Sequence, residues 1–361
     1  MGMRQPGFGV PLTSHALTSL ASSRQRSAIL PGMDPLRLTR ELVDIESTTG
    51  READVGNFLL ARLASLGWEA RAMAVEEGRF NVHATLPGPA PVTYFSTHMD
   101  TVPPFIPSSE DDQRIYGRGS CDAKGIIAAQ IAAAERLRAR NIPVGLLFVV
   151  GEERDSLGAM VANRQPTGAK FLVNGEPTEN RLALASKGAL RVELVAEGRM
   201  AHSAYPDLGE SAIEKLIRAL NRLLEMPLPA DPEIGSTTMN IGVIEGGRAP
   251  NVIADRARAQ LLYRLVGPAQ ELKRQIEAAV AGLATANFVL EIPFVRLRAL
   301  DGLPTMIASF TTDIPALSAW GTPLLVGPGS ILVAHTEREH IEKRQLLAAV
   351  DLYCEVALRL R

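Results

Sequence analysis

Four short and almost uninterrupted apolar segments, Val92–Ser96, Val144–Val150, Lys170–Val173 and Leu324–Val326, constrain this chain more than any other feature. Runs of that length without polar alternation suit strands buried on both faces, as in a sheet covered by helices. The Ala-rich stretch from Ile126 to Leu137 reads as a helix lying across such a sheet. Upstream, Leu36, Leu38, Leu42 and Val43, then Val55, Leu59, Leu60 and Leu63, recur at helical spacing around the turn-like Ser47-Thr48-Thr49-Gly50. That pattern predicts two helices with a loop between them.

The texture changes between about Gly188 and Arg298. An alternating strand (Leu190–Glu197) is followed by a helix (Glu210–Met226) and two strands (Thr237–Ile244 and Arg256–Val266). A helix (Ala269–Ala286) and a last strand (Phe288–Arg296) complete the order β-α-β-β-α-β. The expectation is an α/β domain, residues 33–187 and 299–361, carrying a ferredoxin-like α+β insert over 188–298.

Bulk properties exclude several function classes. With 46% hydrophobic and 22% charged residues and a net charge of −2, the chain has no basic excess to attract a phosphate backbone, so nucleic acid is excluded as a partner. No run of 18 or more apolar residues is present, which excludes a transmembrane helix and a membrane partner. Two cysteines, Cys121 and Cys354, are too few for a disulfide framework and point to a cytoplasmic location. Residues 1–32 hold Arg4, Arg24 and Arg26 and no acid, loosely like a transit peptide. Because Pro31-Gly32 directly precedes the helical pattern, the expectation is a disordered or non-native N-terminal extension.

Ligands of open α/β sheets bind beyond the carboxyl ends of the strands, and all four apolar segments deliver acids or imidazoles there. Val92–Ser96 runs into Thr97-His98-Met99-Asp100, Val144–Val150 into Gly151-Glu152-Glu153, and Lys170–Val173 into Asn174-Gly175-Glu176. Leu324–Val326 leads through Gly327-Pro328-Gly329-Ser330 to Ala334-His335-Thr336. Two imidazoles and several carboxylates meeting in one crevice match the nitrogen and oxygen ligands that zinc accepts.

These motifs resemble the M20 family of co-catalytic metallopeptidases and deacylases, which includes acetylornithine deacetylase, succinyl-diaminopimelate desuccinylase and glutamate carboxypeptidase. His98-Met99-Asp100-Thr101-Val102-Pro103 is similar to its H-x-D-x-V-P, and the run Tyr116 to Gly125 to its G-x-G-x-x-D-x-K-G. Glu152-Glu153, Gly175-Glu176-Pro177-Thr178 and Ala334-His335-Thr336 resemble its paired glutamates, G-E-P-T and A-H-T. Gly151 stands where the family often has Asp, a departure that removes no ligand.

The resemblance implies a zinc-peptidase-like catalytic domain with an inserted lid and dimerisation domain. It implies two divalent metals, zinc with cobalt or manganese as alternatives, held by His98, Asp122, Glu153, Glu176 and His335, with Asp122 shared by both. Two dications, three carboxylates and one hydroxide are neutral together, which keeps the desolvation cost of such a centre low. Asp100 is implied to orient His98, and Glu152 to act as general base. On the lid, Gly198-Arg199-Met200-Ala201-His202-Ser203 resembles a segment whose His reaches the partner subunit's active site, making His202 a catalytic candidate and a homodimer the expected assembly. Arg264 and Asn251 match substrate-contacting lid positions, Arg264 suiting a carboxylate, and Gly329 is a candidate for close backbone approach to a ligand.

The expected activity is hydrolysis of an N-acyl amino acid in the manner of acetylornithine deacetylase. The alternative is a carboxypeptidase or dipeptidase on the same centre, and a third reading is a non-catalytic binder of amino-acid derivatives. A serine hydrolase is excluded because no G-x-S-x-G elbow occurs.

Overall fold

The computed structural model describes residues 33–361, so the extension expected over 1–32 lies outside the described residues. Helix α1 (Pro35–Val43) begins where the Asp34 carboxylate accepts the Leu36 N–H at 2.9 Å and Pro35 occupies the first turn. Helix α2 (Ala53–Ser65) turns Val55, Leu59 and Leu63 into the core. A hairpin of β1 (Glu69–Glu76) and β2 (Arg79–Thr85) precedes β3 (Thr93–His98), α3 (Lys124–Arg138), β4 (Val144–Val149), α4 (Leu157–Asn163) and β5 (Phe171–Asn174).

The next unit comprises β6 (Gly188–Glu197), α5 (Ala212–Glu225), β7 (Thr238–Gly246), β8 (Arg256–Leu265), α6 (Ala269–Val280) and β9 (Thr285–Ile292). The chain then returns as β10 (Thr322–Leu325) and α7 (Lys343–Arg359). This is the expected α/β fold with an inserted α+β unit.

The main sheet has the order β1-β2-β4-β3-β5-β10, with β3 parallel to β4 and β5, and β5 parallel to β10. Every residue of β3 and β4 is buried, which accounts for the unbroken apolar run of β4. Helix α3, buried along almost its whole length, separates the sheet from α1 and α7. Register decides where the chemistry goes. His98 pairs with Val149, while Ser96 and Leu325 both pair with Asn174, so four strands end at one edge.

In the inserted unit the sheet order is β7-β8-β6-β9, fully antiparallel. Its core packs Leu190, Val192 and Leu194 against Leu216 and Leu220 of α5 and Leu272 and Ile276 of α6. Two boundaries differ from expectation. The second helix stops at Val280 rather than Ala286, because Gly282 at φ +74° turns the chain into a strand starting at Thr285. The expected strand Phe288–Arg296 is divided at Pro293, which has no N–H to give a ladder. Val295 and Arg296 pair instead with Ser186 and Ala185 in a separate small sheet. No helix among the described residues is long and apolar enough to cross a membrane.

Candidate metal centre

The strand ends bring His98, Asp122, Glu153 and His335 into one cluster. Asp122 presents one oxygen to each imidazole: Oδ1 lies 3.0 Å from His98 Nε2, and Oδ2 lies 3.4 Å from His335 Nε2. His335 Nε2 is also 3.0 Å from Glu153 Oε1. Ligand atoms of His98, Asp122 and Glu153 all fall within 4.8 Å of one another. Glu176 is buried in the chain after β5, and its charge is felt at both His98 and Asp122.

Several contacts fix these groups. His98 Nδ1 is 2.9 Å from the Asp100 carbonyl and 3.6 Å from its carboxylate, so the backbone of Asp100 is the nearer partner of the ring. The Asp100 carboxylate, fully buried, accepts Thr49 Oγ1 at 2.8 Å and the N–H groups of Glu152 and Glu153 at 3.1 and 3.2 Å. It therefore positions the turn that carries both glutamates.

The loop bearing Asp122 is held by Glu339, a residue that motif reasoning did not single out. Glu339 Oε1 accepts the N–H groups of Gly119, Cys121 and Asp122 at 2.8, 3.4 and 3.3 Å. Its other oxygen pairs with buried Arg118 at 2.6 Å, and Arg118 also donates to the carbonyls of His335 and Thr336. One buried ion pair thus couples the Asp122 loop to the His335 loop. A signal existed in the sequence, an acid four residues beyond His335.

The electrostatics suit a cation. Burial lowers the proton affinity of His98, but hydrogen bonds to Asp100 and Asp122 outweigh it and hold its pKa well above the usual imidazole range. His335 is raised to about 10 by its hydrogen bonds to Asp122 and Glu153. Glu152 and Glu176 are pushed well up, first by burial and then by neighbouring like charge. Imidazoles and carboxyls crowded this closely, with their proton affinities raised, form a setting in which a dication can displace protons from its ligands. The donor set of two nitrogens and three carboxylates fits divalent zinc-type metals.

Cys121 is buried, and its thiol is raised by burial and by the charge of Glu339, which makes it an inert packing group. Gly329, at φ +93°, has an N–H already given to Gln345 Oε1 at 2.8 Å. A Cβ there would stand 2.6 Å from that of Cys121, so both the backbone conformation and the packing favour glycine at this position.

Asp313 was also missed. It is buried, neither carboxylate oxygen meets a hydrogen-bond partner, and burial together with the charges of Asp100 and Asp155 lifts it to about 7. It stands one residue from Thr312 in the loop before a short helical turn at Ile314–Leu317, where no spacing marked it.

The inserted unit separates its candidates. His202 is exposed, its Nδ1 accepts only the Ala204 N–H at 3.2 Å, and it bridges to Val252 beside Asn251. That places both residues before the start of β8, whereas Arg264 lies at the strand's far end, opposite Ala189 and Thr238. Eight residues of strand, roughly 27 Å, lie between the start of β8 and Arg264. Within one chain, no hydrogen bond or ion pair among the described residues joins His202 to the cluster. Arg264 is half-buried, with burial depressing its pKa, and no acid among the described residues pairs with it.

Residues 184–288 match the peptidase dimerisation domain family. A peptidase M20 domain-containing protein of Schizosaccharomyces pombe is 37% identical over 342 residues, spanning 90% of this chain and 85% of that protein. A protein named as a probable carboxypeptidase in Aspergillus terreus is 37% identical over 383 residues, with coverage of 93% and 88%. The fold is similar to that of aminopeptidase PepT from Bacillus cereus, with a TM-score of 0.77 at 22% identity, covering 91% of this chain and 99% of that one.

Proposed function

The chain belongs to the M20 peptidase family and hydrolyses peptide or amide bonds; from that premise we propose a two-metal carboxypeptidase that releases the C-terminal residue of short peptides or N-acyl amino acids. The observation that carries this reading is Asp122 facing His98 with one oxygen and His335 with the other, the arrangement a shared ligand needs. The names of the relatives favour peptide cleavage over the acetylornithine-type deacetylation expected from the motifs.

His98 and Glu176 would hold one metal, Glu153 and His335 the other, and Asp122 both, with zinc the metal best matched to these donors. When bound, the metals polarise the scissile carbonyl and acidify the attacking water. Glu152 takes the proton from that water and hands it to the leaving amine. Its raised pKa, caused by burial and Glu176, suits the second half of that task. Asp100 keeps Glu152 in place through its backbone N–H. Arg264, lacking an internal acid, takes the terminal carboxylate of the substrate.

We divide the chain into a metal-binding body, 33–187 and 299–361, and a lid and dimerisation unit, 188–298. The match to a peptidase dimerisation domain supports a homodimer, as do the exposed Ile217 and Leu224 on α5 and Ile244 on the edge strand β7. In that dimer His202 and Asn251 would serve the active site of the second copy.

The test uses full-length protein stripped of metal and reconstituted with zinc, cobalt or manganese. Substrates are N-acyl amino acids and dipeptides with free or amidated C-termini. Turnover confined to the free carboxylates is expected. No turnover of any substrate with metal bound would sink the proposal, and equal turnover of amidated substrates would remove Arg264 from it.

A further inference from the structure

A cavity of about 620 Å³ opens directly beside Glu152, between the metal-binding body and the last lid strand. Its lining includes Met160 of α4, Pro315, Leu290 and Ile292 of β9, Glu152 and Arg164. The volume falls within the range of small-molecule sites, roughly 300–1,000 Å³. Met160 and Leu290 are 41% and 38% exposed, large apolar side chains left open to solvent at the edge of a catalytic group. Most charges in the wall are neutralised: Arg154 pairs with Asp155 at 3.0 Å and Glu291 with Lys273 at 2.6 Å, while Arg164 lies exposed. Ser156, Asn163 and Thr312 add neutral polar groups, and apart from these, the paired charges, Glu152 and the exposed Arg164, the rest of the lining is apolar.

Strand register ties this cavity to Arg264. Ile292 pairs with Ala189, and Ala189 pairs with Arg264, so the three share a row and a face of the lid sheet. Leu290 lies on that same face, opposite Arg191, whereas Leu190 and Val192 point into the helix-covered core. Two strand spacings separate Ile292 from Arg264, about 10 Å. That spacing is compatible with one extended substrate whose carboxylate meets Arg264 and whose far end enters the cavity.

Building on the carboxypeptidase reading, we propose that this cavity is the specificity pocket for a bulky apolar group, aliphatic or aromatic, on the acyl side of the scissile amide. Substrates that leave it empty, N-acetyl amino acids among them, are then poor ones.

The experiment compares N-acetyl, N-butanoyl, N-hexanoyl and N-phenylacetyl forms of one amino acid, using metal-loaded full-length protein. Each buried methylene contributes to binding, so kcat/KM should rise at least about tenfold from acetyl to hexanoyl. In Met160→Trp, which narrows the cavity, that ratio should fall severalfold. Binding of the same series to Glu152→Gln protein, read by titration calorimetry, should show the same gradient without turnover. A flat series in both assays, or an unchanged ratio in Met160→Trp, overturns the pocket. Graded binding with no turnover by the parent protein would keep the pocket and defeat the hydrolase reading instead.

Discussion

Glu152 and Glu153 are neighbours in sequence with separate surroundings. Glu153 reaches His335 at 3.0 Å, while Glu152 faces the cavity beside the metal site and has its pKa raised by burial and by Glu176. In the proposed mechanism the pair divides two tasks, Glu152 as base and Glu153 as ligand; burial raises both carboxyls, and only Glu153 has a hydrogen bond to an imidazole to offset it. Glu152→Gln keeps the shape and removes the proton acceptor. It should lower kcat by roughly 10²- to 10⁴-fold, the usual worth of a positioned acid–base group. Metal content, measured by elemental analysis, should be unchanged. Loss of metal together with activity would make Glu152 a ligand, and substantial residual kcat would place the base elsewhere.

At the scale of elements, the site is a consequence of register: β3, β4, β5 and β10 end together, and each hands over one or two polar groups. This much was legible in the sequence, because buried parallel strands leave unbroken apolar runs and their ends stand out as abrupt changes of polarity. The hairpin β1–β2 was not, since β1 is mostly exposed and gives little periodic signal. Glu339 and Asp313 escaped for a different reason: the N–H groups that Glu339 gathers and the charged neighbours of Asp313, Asp100 and Asp155, are more than 100 residues away, and only the folded chain brings them together. Glu339 supplies the test here. With Arg118 and Glu339 both almost fully buried, Glu339→Gln leaves the guanidinium uncompensated and should cost about 3–5 kcal/mol in chemical denaturation. Because the same carboxylate gathers the N–H groups leading to Asp122, metal affinity should fall about 10- to 100-fold in a chelator competition. Lost stability with unchanged metal affinity would show the ion pair to be a brace alone.

For the whole molecule, the separation of His202 and Asn251 from Arg264 along β8 has a direct consequence for assembly. Ile292, in register with Arg264, lines a cavity shared with the chain's own body, whereas His202 and Asn251 lie exposed toward the other end of the sheet. If His202 acts across the dimer, Glu152→Ala and His202→Ala protein should each be nearly inactive alone. A heterodimer of the two contains one site with an intact Glu152 and an intact His202 supplied in trans. Random exchange of subunits in a twofold dimer then restores about a quarter of parent activity, while metal content stays constant throughout. Mixing, partial unfolding to allow exchange, and an assay against time measure this directly. Recovery is the signature of a shared site, because no arrangement in which each chain completes its own site can regain activity from two defective partners. Failure to recover, with exchange verified by differently tagged subunits, would return His202 to a local role in the loop it shares with Ala204 and Tyr205.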